Sequence, residues 1–215
     1  ILGVVVAPYV IAGGLRGVMY TDAFQAILMF VGMVLLLYFA YDAAGGFVAG
    51  HRALADLAGK IDPKLKATGI TSFTAMPVGF SQKWWLLVST LVLGVGIGVL
   101  AQPQLAVRFM TVKSGKQINR ACAVGGVFIL AMTGAAFVVG ALSNVYFDGK
   151  FGKLAGAMAV TAGGASDVEL IIPTFIKCAM PRWFGTLFFL TLLCAAMSTL
   201  SSQFHTMGAA IGRDV

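Results

Sequence analysis

A chain of 215 residues that is 59% hydrophobic and 11% charged, with a mean hydropathy of +0.92, lies far from a soluble composition, in which roughly a quarter of residues are charged. Its net charge of +7 comes with no basic helix face or interleaved aromatic platform, which excludes a nucleic-acid partner. Cys122, Cys178 and Cys194 have neither metal-site spacing nor the even count of a disulfide framework.

The charges are segregated along the chain. Uncharged stretches run from Ala23 to Tyr41, Trp84 to Val107, Ala121 to Phe147 and Trp183 to Met207. Each reaches the ~18 apolar-dominated residues that suggest a spanning helix. A shorter stretch, Ile1 to Leu15, precedes them and reads as the end of a helix that begins elsewhere. The expectation is an all-α membrane protein, a multi-span helical bundle in the lipid bilayer with spans at about 1–14, 21–41, 84–107, 121–143 and 183–207. The opening on Ile1 and the stop at Arg213-Asp214-Val215 suggest an internal piece of a larger chain.

In chain order, Gly13-Gly14 and Arg16 predict a tight turn, followed by a second helix from about Thr21. The loop 42–83 carries "HRALADLAGK", a short amphipathic helix candidate, then Pro63 and Pro77 as breakers. Trp84 and Trp85 suit an interfacial anchor at the next span. Gly94, Gly96 and Gly98 then precede Gln102-Pro103. Either a tightly packed, kinked helix or local unwinding at a binding site accounts for that pattern. The short loop after this span holds Arg108, Lys113, Lys116 and Arg120 with no acid, which marks it as cytoplasmic. The long loops 42–83 and 144–182 mix their signs and fall outside, with Arg16 and Arg213 inside. The fourth helix, rich in Ala, Gly and Val, is a packing element. Gly163-Gly164 and Pro173 mark the second outer loop.

The last span carries "AAMSTLSSQ" from Ala195 to Gln203. On a helix Ser198, Thr199, Ser201 and Ser202 occupy less than half the circumference, with Ala195 one turn earlier. Hydroxyls in a span can bond back to carbonyls three or four residues earlier, or join a neighbouring helix. Four on one face also offer neutral oxygens to a hard alkali cation such as sodium. Asp22 has two readings as well. It is either an N-terminal helix acid, paired with Arg16, or a buried carboxylate on an ion path, since intramembrane acids are costly and mostly functional.

"GGLRGVMYTDAFQAILM", "AQPQLAVRFMTVKS" and "AAMSTLSSQ" resemble three signature regions of the sodium:solute symporter family, in the right order and spacing over positions 13 to 203. The resemblance implies a LeuT-like inverted-repeat transporter fold, of which the chain covers core helices 4 to 8. It implies a sodium-coupled symporter that imports a small organic solute by alternating access, multi-pass in the cell membrane and not an enzyme. It also implies roles. Ala195, Ser198 and Thr199 match the half of the general sodium site that faces core helix 1, which belongs to the remainder of the transporter chain. Asp22, Ser201 and Ser202 match a second sodium site found in some members, giving one or two Na+ ions. Val95, Gly98, Val99 and Gln102 match substrate-lining positions. Their small aliphatic character argues against a sugar and leaves an organic acid or amino acid. The alternatives are a sodium-responsive sensor or channel on the same fold, or an intramembrane serine hydrolase using Ser201 or Ser202 with His205.

Overall fold

Gly14 sets the path of the first 43 residues in the computed structural model, which describes residues 1–160 and 167–214. Helix α1 (Leu2–Ala43) is interrupted only there, at φ 53° and ψ −155°, a region essentially confined to glycine. A Cβ on Gly17 would lie 3.8 Å from the carbonyl oxygen of Tyr9, eight residues earlier. Eight residues of straight helix span about 12 Å, so the chain doubles back at Gly14. The second arm starts directly after this break rather than at Thr21. Asp22 therefore sits two turns inside a helix, and the reading of it as a helix-start acid gives way.

The remaining helices follow as α2 (Phe47–Asp56), α3 (Pro63–Ala67), α4 (Gln82–Trp85), α5 (Gly96–Leu100), α6 (Pro103–Met110), α7 (Gly115–Phe151), α8 (Ala155–Met158), α9 (Ile171–Ala179) and α10 (Arg182–Asp214). Between α4 and α5 the chain makes π-helical turns over Leu86–Val95, where Ser89 Oγ donates back to the Trp85 carbonyl at 2.5 Å. The chain unwinds at Gln102, which is extended (φ −69°, ψ 125°), and Pro103 opens α6; the three glycines before it stay helical. Four helical stretches are long and apolar enough to cross a membrane: Leu2–Ala43, Gln82–Met110, Gly115–Phe151 and Arg182–Gly212. Among the described residues the regular structure is helical, in agreement with the all-α expectation. Gly163-Gly164 and Val215 lie outside the described residues.

The chain forms two compact units. The first comprises residues 1–34, 100–132 and 186–215. Val6, Val10 and Val18 are its buried apolar residues, with Tyr9, Met197, Leu200 and Phe204 packed on them. The second arm of α1 and α10 approach closely enough that a Cβ on Gly32 would collide with Thr191. Phe30 of α1 stacks on Phe128 of α7 at 5.9 Å.

The second unit comprises residues 35–99 and 133–185. Leu142, Phe147, Phe175 and Phe184 are fully buried in it. Helix α1 ends in it on a Schellman turn, with Gly46 N–H donating to Tyr41 O at 2.8 Å and Gly45 N–H to Asp42 O at 3.1 Å. Gly45 takes the positive φ (83°) that this turn requires. The amphipathic candidate becomes α2 plus a 3₁₀ turn, Leu57–Lys60, burying Leu54 and Leu57. Lys60 Nζ donates to both Asp148 oxygens, at 2.6 and 2.8 Å.

Candidate functional site

The first unit gathers Asp22, Arg108, Ser201 and Ser202 from α1, α6 and α10. Ser201 Oγ lies 3.0 Å from Asp22 Oδ1 and 2.9 Å from the Ser198 carbonyl oxygen, and Ser201 is fully buried. Ser202 Oγ donates to Asp22 Oδ2 at 3.3 Å. Arg108 Nη2 donates to that same Oδ2 at 2.5 Å and to Ser202 Oγ at 2.6 Å. The carboxylate is thus divided. Its Oδ2 edge is shared by a guanidinium and a hydroxyl, while its Oδ1 edge accepts from Ser201. The Asp22 side chain is 12% exposed and that of Arg108 37%, which suits a partly buried carboxylate held by a cation reaching in from the rim. A recess of about 10 Å³ borders Arg108, Gln104, Ser202, His205 and Thr206, room for one water.

These contacts bring together part of what the sequence singled out. Asp22 meets Ser201 and Ser202 as the symporter resemblance implies. Its counter-ion among the described residues is Arg108 rather than Arg16, which is exposed. Arg108 was assigned to a cytoplasmic loop; it stands instead on α6, and the loop shortens to the residues between Met110 and Gly115. The signal that could have found it is chemical. A carboxylate inside an apolar helix needs a cation, and Arg108 is the basic residue inside "AQPQLAVRFMTVKS", directly after an uncharged span.

Ser198 and Ala195 are half-buried, while Thr199 is exposed. Thr199 Oγ1 bonds back to the Ala195 carbonyl at 3.0 Å, so the back-bonding account holds for that hydroxyl, and two atoms of the implied general sodium site pair with each other. Val95 and Val99 in the second unit, and Gln102 in the first, are exposed, at 53% and 39% for the two valines. Gly98 is also exposed. Ser201 and Ser202 have their hydroxyls on Asp22 and Arg108, and no bond from either to His205 is present among the described residues.

The sequence profile of the sodium:solute symporter family matches residues 1–215. The chain belongs to that family. It is 26% identical over 215 residues to the sodium/pantothenate symporter of Escherichia coli (strain K12), with all of this chain and 39% of that protein aligned. Identity is 29% over 220 residues to the high-affinity proline transporter PutP of Bacillus subtilis (strain 168), covering all of this chain and 40% of the relative. The sodium/proline symporter of Escherichia coli (strain K12) is 24% identical over 207 residues, 96% of this chain and 37% of that one. The chain therefore spans about 40% of the length of the curated relatives it matches. No solved structure matches. Membership and the four long apolar helices make the chain part of a multi-pass integral membrane protein.

Proposed function

We propose that the full-length protein is a sodium-coupled secondary symporter importing a small organic solute, an organic acid or amino acid rather than a sugar, by alternating access. The observation that supports this most directly is the partly buried carboxylate of Asp22 beside the Ser201 and Ser202 hydroxyls, within a family-matched chain whose relatives are named as sodium/pantothenate and sodium/proline symporters. In this reading the chain forms core helices 4 to 8 of a LeuT-like inverted repeat. Residues 42–83 and 144–182 face outside, and the missing helices come from the rest of the transporter.

One sodium ion binds the Ala195 carbonyl, Ser198 and Thr199 together with core helix 1, replacing the bond that Thr199 now makes to Ala195. A second binds at Asp22. Substrate binds along Val95, Gly98, Val99 and Gln102, next to the helix break at Gln102-Pro103. Sodium entry from outside stabilises the outward-facing state, substrate joins, and the bundle rocks to release both inside. Each charge crossing ~100 mV supplies about 2.3 kcal/mol, so two ions supply about 4.6 before the concentration gradient is counted. Coupling requires ion and solute to favour the same conformations.

A symporter is favoured over a hydrolase because the serine hydroxyls are committed to a carboxylate and a guanidinium rather than to His205. Reaction with an active-site serine probe would reverse that choice, and sodium-dependent accumulation separates a symporter from a sensor or channel. The test at residue level is the double variant Ser198→Ala/Thr199→Ala in the full-length protein. The half-saturating sodium concentration for uptake should rise far more than protein abundance falls. An unchanged sodium dependence removes these residues from the site.

A further inference from the structure

The connection from α6 to α7 and the start of α7 carry Lys113, Lys116 and Arg120. All three are exposed. Among the described residues the ion pairs are Lys60–Asp148 and Arg108–Asp22, so none of these three cations is in one, and no acid occurs in the sequence between Asp62 and Asp148. The helix then continues this basic end into an apolar stripe on the same side. At 100° per residue, Lys116, Arg120, Val124, Val127 and Leu130 fall within about 120° of the circumference. Val124, Val127 and Leu130 are 72%, 70% and 75% exposed, whereas Phe128, beyond the edge of the stripe, packs on Phe30. From Arg120 to Leu130 the helix rises about 15 Å. That is half of the ~30 Å hydrocarbon core of a bilayer, the depth of one leaflet.

A cluster of cations at headgroup level, with no acid among them, sets up a positive potential there, and their stems extend along apolar surface while the charges stay at the interface. A zwitterionic headgroup brings its own ammonium and gains little from that potential. A headgroup of net negative charge gains roughly fivefold in affinity from each basic residue near it. We infer that the start of α7 and its exposed stripe form a seat for an anionic phospholipid, with the phosphate held by Lys113, Lys116 and Arg120 and an acyl chain along Val124, Val127 and Leu130. A lipid fits better than a free phosphate because the stripe that continues from the cations needs an apolar chain to cover it. The seat uses none of the residues proposed for sodium or substrate, so it stands apart from that reading.

The experiment titrates the purified full-length protein, in a nonionic detergent at low ionic strength, with dioleoylphosphatidylglycerol or dioleoylphosphatidylcholine and reads the rise in thermal unfolding temperature. Phosphatidylglycerol should act on the wild type at a concentration lower by about tenfold or more, and added salt should narrow the gap. This comparison needs no variant to fold, and an equal response to the two lipids overturns the inference. Lys116→Gln/Arg120→Gln should raise the half-saturating phosphatidylglycerol concentration by about 10- to 30-fold, at roughly fivefold per cation, and leave the phosphatidylcholine titration unmoved. Lys64→Gln/Lys66→Gln removes the same charge from exposed positions of α3 and should change neither titration; an equal loss there would make the effect one of net charge and overturn the seat. Val127→Ser/Leu130→Ser should weaken both lipids. If it weakens neither, the rest of the transporter chain covers the stripe and the inference falls. Stabilisation by inorganic phosphate alone at matching concentrations would assign the cations to a free anion and overturn the lipid seat as well.

Discussion

Arg108 changes the meaning of Asp22 more than any other side chain in the structure. A bare carboxylate among hydroxyls reads as an open cation site; one that already carries a guanidinium at 2.5 Å reads as a site with a tethered competitor. The two cations repel, so removing one should favour the other. Arg108→Gln should therefore lower the sodium concentration needed for half-maximal uptake, with Arg108→Lys intermediate because a single ammonium cannot hold Asp22 and Ser202 with a planar fork. The same substitution should cost stability, about 1.5 to 3 kcal/mol for the loss of charge-assisted hydrogen bonds, readable in thermal unfolding of the full-length protein. A sodium activation curve that does not move would leave Arg108 as a structural anchor. The motif text pointed to Asp22, Ser201 and Ser202 because oxygen donors in spans are conspicuous. Arg108 was missed because a basic residue just past an uncharged run looks the same whether it faces cytosol or folds back onto an acid. Only the break at Gln102-Pro103, which starts a new helix, turns it inward.

At the level of elements, two glycines position this site. Gly14 allows the backbone reversal that places the second arm of α1 against α10, and its φ and ψ exclude a Cβ without strain; Gly14→Ala should cost about 1 to 3 kcal/mol. Gly32 admits Thr191 at the next contact along the same helix pair. Gly32→Ala should lower stability by about 1 to 3 kcal/mol through overpacking, and adding Thr191→Ser, which removes the clashing methyl but keeps the hydroxyl bonded to Phe188, should recover most of it. A double-mutant cycle measured by thermal unfolding checks that recovery. Helix identity was legible from hydropathy, since long uncharged runs have few alternatives. Helix limits were less so. The second arm of α1 starts at Leu15, α7 at Gly115 and α10 runs to Asp214, because charged residues at helix ends continue the backbone bonding past the apolar stretch used to place it.

For the whole molecule, the proposed topology places Cys178, an exposed residue of the 144–182 loop, outside the membrane. A membrane-impermeant maleimide should label it in intact cells expressing the full-length protein. A cysteine placed at the exposed Lys113, between α6 and α7, should react only after permeabilisation. The reverse pattern would invert the orientation and with it the direction of transport. Fold class and membership were legible because three separated segments keep their order and spacing. Substrate identity was not, because the aliphatic groups of Val95 and Val99 offer no directional chemistry to read, and the chain spans about 40% of its relatives. The coupling claim itself is tested most directly by uptake into liposomes carrying the full-length protein, with a panel of small organic acids and amino acids offered under an inward sodium gradient or an equal potassium gradient. The account predicts that one solute accumulates above its external concentration with sodium and only equilibrates with potassium. Accumulation that is indifferent to the replacement of sodium by potassium would contradict it.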